Sequence, residues 1–212
     1  IPVGWLLGIL IALARNARVP VLSQLACVFV SFMRSVPMVI ILFVSYYSTP
    51  LIIQGYTASI GLSVDVSAVP AAAYAIAAFV LEQAAYSSEV FRSAILAVDK
   101  GQIEAAESVG MTKPVAYVRI VLPQAITSAL PNLNGLFVGL VQGTSLAYFV
   151  GVYEVMATST LLANASYAYI EAYLMATVIY EVLSFVFNRI FRAVEARVSR
   201  YLNMSAPDAA KA

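Results

Sequence analysis

The chain has no histidine and a single cysteine, Cys27, among its 212 residues. Histidine metal sites, thiol pairs and Ser-His-Asp chemistry are therefore excluded within the chain itself. Cys27 lies in an apolar run and reads as a small packed residue, the usual state of a free thiol. Charge is also scarce: 11% of the residues are Asp, Glu, Lys or Arg, where soluble domains carry about 25%. A net charge of +1 gives no basis for binding nucleic acid. What fills the chain instead is apolar, 62% of its residues. With so few charges, most of the outer face must meet lipid rather than water, and the length suits one membrane domain. That domain is expected over 1–205, with a short polar tail at 206–212.

A helix crossing the hydrocarbon core needs about 20 mostly apolar residues. Five segments answer to this, roughly 1–14, 35–54, 69–88, 124–150 and 172–190. The alternating ten-residue strands of membrane barrels do not appear, so the fold expected is all-α, a polytopic helical bundle. Residues 1–14 would cover only about 21 Å of a core about 30 Å thick, so the first span is expected to be incomplete at its start. It opens on Ile1 with neither a charged leader nor a cleavage site, which is not the pattern of a signal peptide. Residues 20–34 read either as an extension of the second span or as a helix at the interface. The fourth segment exceeds one span and holds Pro131 with Gly135, Gly139, Gly143 and Gly151, the composition of a broken or kinked helix. Gly135, Gly139 and Gly143 share one face, as do Gly4 and Gly8, and let another backbone come close. They are read as helix packing in the bundle, with a subunit interface or a substrate-lining face as the alternative.

Basic residues set the orientation. Arg15 and Arg18 follow span one; Arg92, Lys100, Lys113 and Arg119 lie between spans three and four; Arg189, Arg192, Arg197, Arg200 and Lys211 follow span five. Only Arg34 is left out of this set. The opposite loops, about 55–68 and 151–171, carry Asp65, Glu154 and Glu171 and no Lys or Arg. The amino terminus is thus expected outside, with the 89–123 loop and the tail in the cytoplasm. Tyr46, Tyr47, Tyr148, Tyr153, Tyr167, Tyr169 and Tyr173 cluster toward the outer ends and read as an interfacial belt; contact with an external protein is the alternative.

The 89–123 loop is the most polar stretch. Gly101 is expected to break what precedes it, and 102–109 to form a short helix from good formers, Gln102, Glu104, Ala105, Ala106 and Glu107. Gly110 fits as its carboxy-terminal cap. Thr112 can cap a second helix with Pro114 in its first turn, and Pro123 is expected to end it before span four. Adjacent alanines flanked by carboxylates suit insertion into a groove with basic rims; a merely solvated loop is the alternative. Ionisable and polar groups inside spans are the next candidates, because they are costly there and face the bundle interior. Glu82, Gln142, Thr144, Ser145 and Glu181 are the candidate substrate-pathway residues, with Gln83 and Asn134 nearby. Each has a plainer role open to it: an ion pair for Glu82, bonds to their own helix for Thr144 and Ser145, interhelical packing for Glu181.

The segment GQIEAAESVGMTKPVAYVRIVLPQA resembles the EAA loop of ATP-binding-cassette (ABC) importer permeases, through Glu104-Ala105-Ala106, Gly110 and Ile120-Val121-Leu122-Pro123. Gly101-Gln102, Gln124-Ala125 and Glu89-Val90-Phe91-Arg92 resemble the polar amino-acid branch of that family. So do FMRSVPMVIILFVSYYSTP at 32–50, Thr144-Ser145-Leu146 and the last span with its tail. Two departures stand out: Gln142-Gly143 where the family often has Lys-Asp, which removes a charge pair, and RSVP in place of RGTP.

The resemblance implies a five-helix permease core paired with a second copy or a sister subunit. It implies a cytoplasmic ATPase dimer, which would hold ATP and Mg while this chain holds no cofactor, and an extracytoplasmic solute-binding protein. In that scheme Glu104 and Glu107 make polar contacts with the ATPase groove, Ala105 and Ala106 allow depth, and Gly101 and Gly110 set the helix ends, with Gln102 and Pro123 in the same motif. The substrate would be a polar amino acid, and Gly143-Thr144-Ser145-Leu146 favours cystine or a related sulfur amino acid. A secondary transporter or channel would share the hydropathy but leave the 101–123 loop without a purpose.

Overall fold

A computed structural model describes residues 1–16 and 20–205, and every regular element among them is helical. In chain order the helices are α1 (Pro2–Asn16), α2 (Pro20–Ser35), α3 (Met38–Ser59), α4 (Ala71–Leu96), α5 (Lys100–Ser108), α6 (Lys113–Val150), α7 (Val155–Ser166) and α8 (Tyr169–Ser205). Arg18, Lys211 and the 206–212 tail lie outside the described residues. Among the described residues three helices, α3, α6 and α8, are long and apolar enough to cross a membrane. α4, with 26 residues, is about 39 Å long, but it is more polar and is the most enclosed helix, packed against α1, α2, α3 and α6. The bundle is therefore that of a multi-pass membrane protein, with this more polar helix at its centre.

Much of the interior is made of small side chains, with Leu42, Phe79 and Leu133 among the few large ones. Ala75, Ala78, Ala84, Ala85 and Ala94 of α4, Ala125 and Ala129 of α6 and Ala12 of α1 are all buried. Large apolar residues point outward instead, among them Leu6, Leu25, Leu51, Ile52 and Phe185. In water this arrangement would be unstable; in lipid it is expected, because apolar side chains gain nothing by leaving the tails and helices associate through close backbone approach. The α1–α4 contact shows this directly. A Cβ on Gly4 would lie 2.9 Å from the Gln83 Cβ and 3.1 Å from the Val80 carbonyl. One on Gly8 would overlap the Ser87 Oγ and lie 3.1 Å from the Ala84 carbonyl. The buried Ser87 and Ser88 hydroxyls donate back to Gln83 O (2.6 Å) and Ala85 O (2.7 Å), so the seam carries no unpaired hydroxyl. A second seam is aromatic: Phe137 of α6 sits 4.7 Å from Phe187 and 5.2 Å from Phe191 of α8, and Trp5 of α1 meets Phe191 edge-on.

Several boundaries differ from expectation for local reasons. Residues 20–34 do not extend the second span; the helix stops at Ser35 and a new one begins at Met38, because Pro37 disfavours helical geometry at Val36. Pro123 does not end a helix either. The chain is helical from Lys113 to Val150, and a wide π turn at Tyr117–Val121, with Leu122 N–H donating to Tyr117 O, sits just ahead of the proline and absorbs its missing donor. Pro131 stays inside regular α-helix, so the departure from α geometry lies at 117–121 rather than there. The TSL stretch tightens into a 3₁₀ end, Thr144–Val150, closed by Gly151 at φ +79°. α7 falls in the stretch read as an outer loop. Its cap is Glu154, whose carboxylate accepts from Met156 N and Ala157 N (2.7 Å each) and from the Tyr180 hydroxyl of α8 (2.7 Å).

The α1–α4 seam yields a first prediction. Gly8→Val should lower the stability of the solubilised chain by about 1–3 kcal/mol, the cost of overpacking a tight contact, read as a lower thermal midpoint in detergent. Gly139→Val, with open space around it, should change that stability by no more than about 0.5 kcal/mol. Equal effects at the two glycines would show that the seam is not close-packed.

Candidate coupling loop and membrane groove

The polar loop is a short helix held at both ends by named bonds. α4 ends at Leu96, and Asp99 then caps α5, its Oδ1 accepting from Gly101 N at 2.6 Å. Gly101 is thus not the breaker that the sequence suggested; it lies in the first turn of α5, where an added Cβ would sit 2.9 Å from that same Oδ1. The helix accordingly begins two residues before the expected 102. At the other end Gly110 has φ +84°, Gly110 N donates to Glu107 O (3.0 Å) and Met111 N to Ala106 O (3.0 Å). This is the Schellman pattern, which glycine adopts without a steric penalty. Thr112 stands at the start of the next helix with Pro114 in its first turn, as expected, but its side chain makes no capping bond.

α5 packs on the 113–121 turn of α6, and that decides which residues it presents. Gln102, Glu104, Ala105 and Glu107 face outward, whereas Ala106 is 3% exposed. The expected pair of alanines is therefore split: Ala105 belongs to the outer surface, and Ala106 to the contact that seats α5. Glu107 reaches Lys113 across the Gly110 turn at 3.6 Å, an exposed pair of small energetic weight. Behind α5 lies a cavity of ≈ 600 Å³ lined by Leu13, Ile95, Ile103, Tyr117 and Val121, with Lys100 at its edge.

Where the loop joins the bundle, Glu89 gathers three arginines from three helices. Arg15 of α1 lies at 2.6 Å, Arg92 one turn along α4 at 2.9 Å and Arg34 of α2 at 3.5 Å. Arg15 also donates to Cys27 Sγ at 3.4 Å, and Arg34 lies over the Tyr86 ring. Sequence reasoning noted Glu89 and Arg92 only as part of a motif. That Arg15 and Arg34 converge on the same carboxylate needs the tertiary fold, since Arg15 and Glu89 are 74 residues apart.

The intramembrane candidates do not form one site. Glu82 and Gln83 line a groove of ≈ 200 Å³ together with Tyr86, Met38 and the glycine face Gly135, Gly139 and Gly143. Gln142 turns instead to α8, its Nε2 donating to Ser184 Oγ at 3.2 Å. Thr144 and Ser145 donate to Val141 O (2.6 Å) and Gln142 O (2.8 Å) of their own helix. Glu181 is exposed midway along α8. Asn134 donates to Asn188 at 2.7 Å, closing the α6–α8 seam. The glycines also part company. A Cβ added at Gly135 or Gly139 would meet nothing within 4 Å and one at Gly143 only the Phe79 ring at 4.0 Å, so among the described residues these glycines do not make the close helix packing expected of them. The close contact belongs to Gly4 and Gly8.

An alanine-rich bundle with large apolar residues turned outward, a polar capped helix at one end and a groove between its spans defines a multi-pass membrane permease. The chain matches the family model for the binding-protein-dependent transport system inner membrane component over residues 4–200, and it belongs to that family. It is 38% identical over 193 residues to the probable amino-acid permease protein YxeN of Bacillus subtilis (strain 168), covering 91% of this chain and 82% of that one. It is 34% identical over 197 residues to the L-cystine transport system permease protein TcyL of the same organism, covering 93% and 80%. The fold matches a crystal structure of an amino acid ABC transporter with histidines at a TM-score of 0.78, with 26% identity over 92% of this chain and 86% of that one. The MetNI methionine ABC transporter shares the fold at a TM-score of 0.65 and 19% identity, covering 92% and 85%. The family is a membrane permease component and not itself catalytic.

The end bonds of α5 can be tested singly. Asp99→Ala removes the cap and Gly110→Ala forces a Cβ into a left-handed position; each should destabilise the loop by about 1 kcal/mol. Hydrogen exchange over 100–110 should then accelerate about fivefold while the spans stay protected. Unchanged exchange would mean that these two bonds do not hold the helix.

Proposed function

We propose that this chain is the membrane half of an ABC importer for polar amino acids, coupled through the outward face of α5 to a cytoplasmic ATPase dimer. The observation that carries the reading is α5 itself: a helix capped at both ends, seated by Ala106 and presenting Glu104, Ala105 and Glu107 on the polar side of an otherwise apolar protein. Such a surface has no role inside lipid and suits a groove on a soluble partner. ATP and Mg belong to that partner, whose closure would pull on α5. A conformational change follows only if the partner contacts α5 differently in its two states, and Glu104 to Gly110 is where that difference would act.

Three further features support the assembly. Glu181 stands exposed at mid-span, where a lone carboxylate facing lipid costs roughly 2.5–3.5 kcal/mol; a second permease copy or sister subunit over that face of α8 removes the cost. Arg15, Arg92, Lys100, Lys113 and Arg119 collect at the α5 end, which supports a cytoplasmic position for that end and an outer one for the amino terminus. A solute-binding protein would then deliver to the opposite end. Among relatives, two named for L-cystine and one for glutamine fit a polar amino-acid cargo, cystine being the one favoured by the Gly143–Leu146 stretch.

The test is ATP hydrolysis by the chain reconstituted in liposomes with a candidate ATPase and binding protein, across a panel of amino acids. One amino acid with its binding protein should stimulate hydrolysis, and Glu104→Lys should abolish that response. Ala105→Trp should prevent co-purification of the ATPase while leaving membrane insertion intact. If the ATPase co-purifies equally with both variants, α5 is not the coupling element. If solute moves down an ion gradient with no ATPase present, a secondary transporter takes the place of the importer.

A further inference from the structure

α2 has 16 residues, about 24 Å of helix, and falls short of a hydrocarbon core about 30 Å thick. Its course is set by what it touches. Ser23 donates to Arg15 O at 3.0 Å, and Cys27 Sγ accepts from Arg15 Nε at 3.4 Å, so the first half of α2 lies level with the end of α1. Further on, Val30 and Met33 pack in one cluster with Ala85 of α4 and Ile11 of α1. Ala85 stands one turn from Glu89, and Ile11 one turn from Arg15. From Ser23 to Met33, about 15 Å of helix, α2 therefore climbs only about 6 Å along α1 and α4. It runs across the bundle more than along it. Its sides are sorted accordingly. Val21, Leu25, Val28 and Phe32 share one exposed face, while Gln24, Ser31 and Ser35 form an exposed polar strip beside it. An apolar face with a polar strip, on a helix lying crosswise, is the pattern of a helix at the membrane interface.

The ion cluster sits at the carboxy-terminal end of that helix and is not balanced. Arg15, Arg34 and Arg92 meet one carboxylate, Glu89, which leaves two positive charges over. The next carboxylate along α4, Glu82, is two turns away, and among the described residues it makes no ion pair with them. Arg15 is enclosed and holds Glu89 at 2.6 Å, and Arg92 holds it by two hydrogen bonds, at 2.9 and 3.1 Å. Arg34 is held most loosely. Its ion pair is 3.5 Å long, its side chain is 45% exposed, and the Tyr86 ring beneath it steadies the guanidinium without neutralising it. We infer that the exposed Arg34–Arg92 side of this cluster, at the end of an interfacial α2, binds the phosphate of an anionic phospholipid headgroup. Guanidinium N–H groups pair with phosphate oxygens in a fixed fork, and the surplus charge is of the sign that attracts an anion. The level fits as well: Val28 and Phe32, on the same two turns as Arg34, belong among acyl chains, so the arginine stands at the depth of the headgroups. A zwitterionic lipid brings its own cation to the site and gains less. The site needs neither cargo nor ATPase.

The test titrates the full chain in detergent with equimolar phosphatidylglycerol and phosphatidylcholine and counts the retained lipids by native mass spectrometry. Phosphatidylglycerol should be retained about fivefold or more over phosphatidylcholine, the weight of an arginine or two at an anionic surface. Arg34→Gln should lower that ratio about threefold or more, and Arg34→Lys, which keeps the charge, should retain most of it. Higher salt should lower the ratio in the unsubstituted chain, because the site is partly exposed; this measurement serves if Arg34→Gln fails to fold. Glycerol phosphate should displace no more phosphatidylglycerol than chloride does at equal ionic strength. A second measurement places α2. Trp5→Phe removes the single tryptophan, and Leu25→Trp or Phe32→Trp then reports depth in bilayers of brominated phosphatidylcholine. The two depths should differ by less than about 5 Å, whereas a helix along the membrane normal would set them about 10 Å apart. A ratio near one, or one unmoved by both Arg34→Gln and salt, overturns the proposal. So does displacement specific to glycerol phosphate, which would make this a site for a free phosphate. Depths about 10 Å apart, or reporters that no brominated lipid reaches, overturn it as well, since α2 would then stand upright or be covered by protein.

Discussion

The close backbone approach of α1 to α4 is the constraint on which the rest of the structure depends. Helices in lipid draw no net advantage from burying leucine, so they must gain from contact distance and from bonds that lipid cannot supply. Gly4 and Gly8 permit that distance, and Ser87 and Ser88 line it without leaving a hydroxyl unpaired. With α1 pressed against one side, α4 is enclosed and can carry polar residues that a lipid-facing span could not. Glu82, Gln83 and Glu89 all sit on it, one toward the groove, one between groove and seam, one toward the arginines.

Glu89 and its three arginines complete the constraint at the end where α5 departs. The seam fixes α1 against α4 along their length, and the ion cluster adds α2 and fixes the level at which the loop departs. Three guanidiniums around one carboxylate leave an excess of positive charge at that end, in line with the distribution of basic residues along the chain. Loss of the Glu89 carboxylate would leave three partly shielded cations facing each other, a larger penalty than the loss of any one pair.

Much of this was legible in the residues. The scarcity of charge gave the membrane class, the apolar runs gave the long spans, and Gly110 gave a helix end that φ +84° bears out. The EAA resemblance gave the family. What escaped the sequence was set by tertiary contact. A repeat of glycines every four residues marks a face but not its partner, so Gly135 and Gly139 looked like packing residues while Gly4 and Gly8 do the packing. Ala105 and Ala106 are equivalent in composition, and only the seating of α5 on α6 tells the exposed one from the buried one. Pro123 carried a helix-ending signal that a π turn overrode. α7 was hidden because its cap is a glutamate, a residue not ranked among the usual helix caps.

That π turn has a mechanical consequence. α5 rests on the stretch 113–121, and the same continuous helix carries Gly139 some twenty residues further on, about 30 Å at 1.5 Å per residue. The wide turn departs from the regular α-helical hydrogen-bond ladder, and it sits between the first turn of α6, against which α5 packs, and the wall that lines the groove. A tilt of about 5° pivoting there would shift Gly139 by about 2.6 Å, which approaches the span of a methylene-sized group. α6 is in this sense a lever whose short arm lies beneath α5 and whose long arm is one jaw of the groove, so a modest displacement at one end is delivered enlarged at the other.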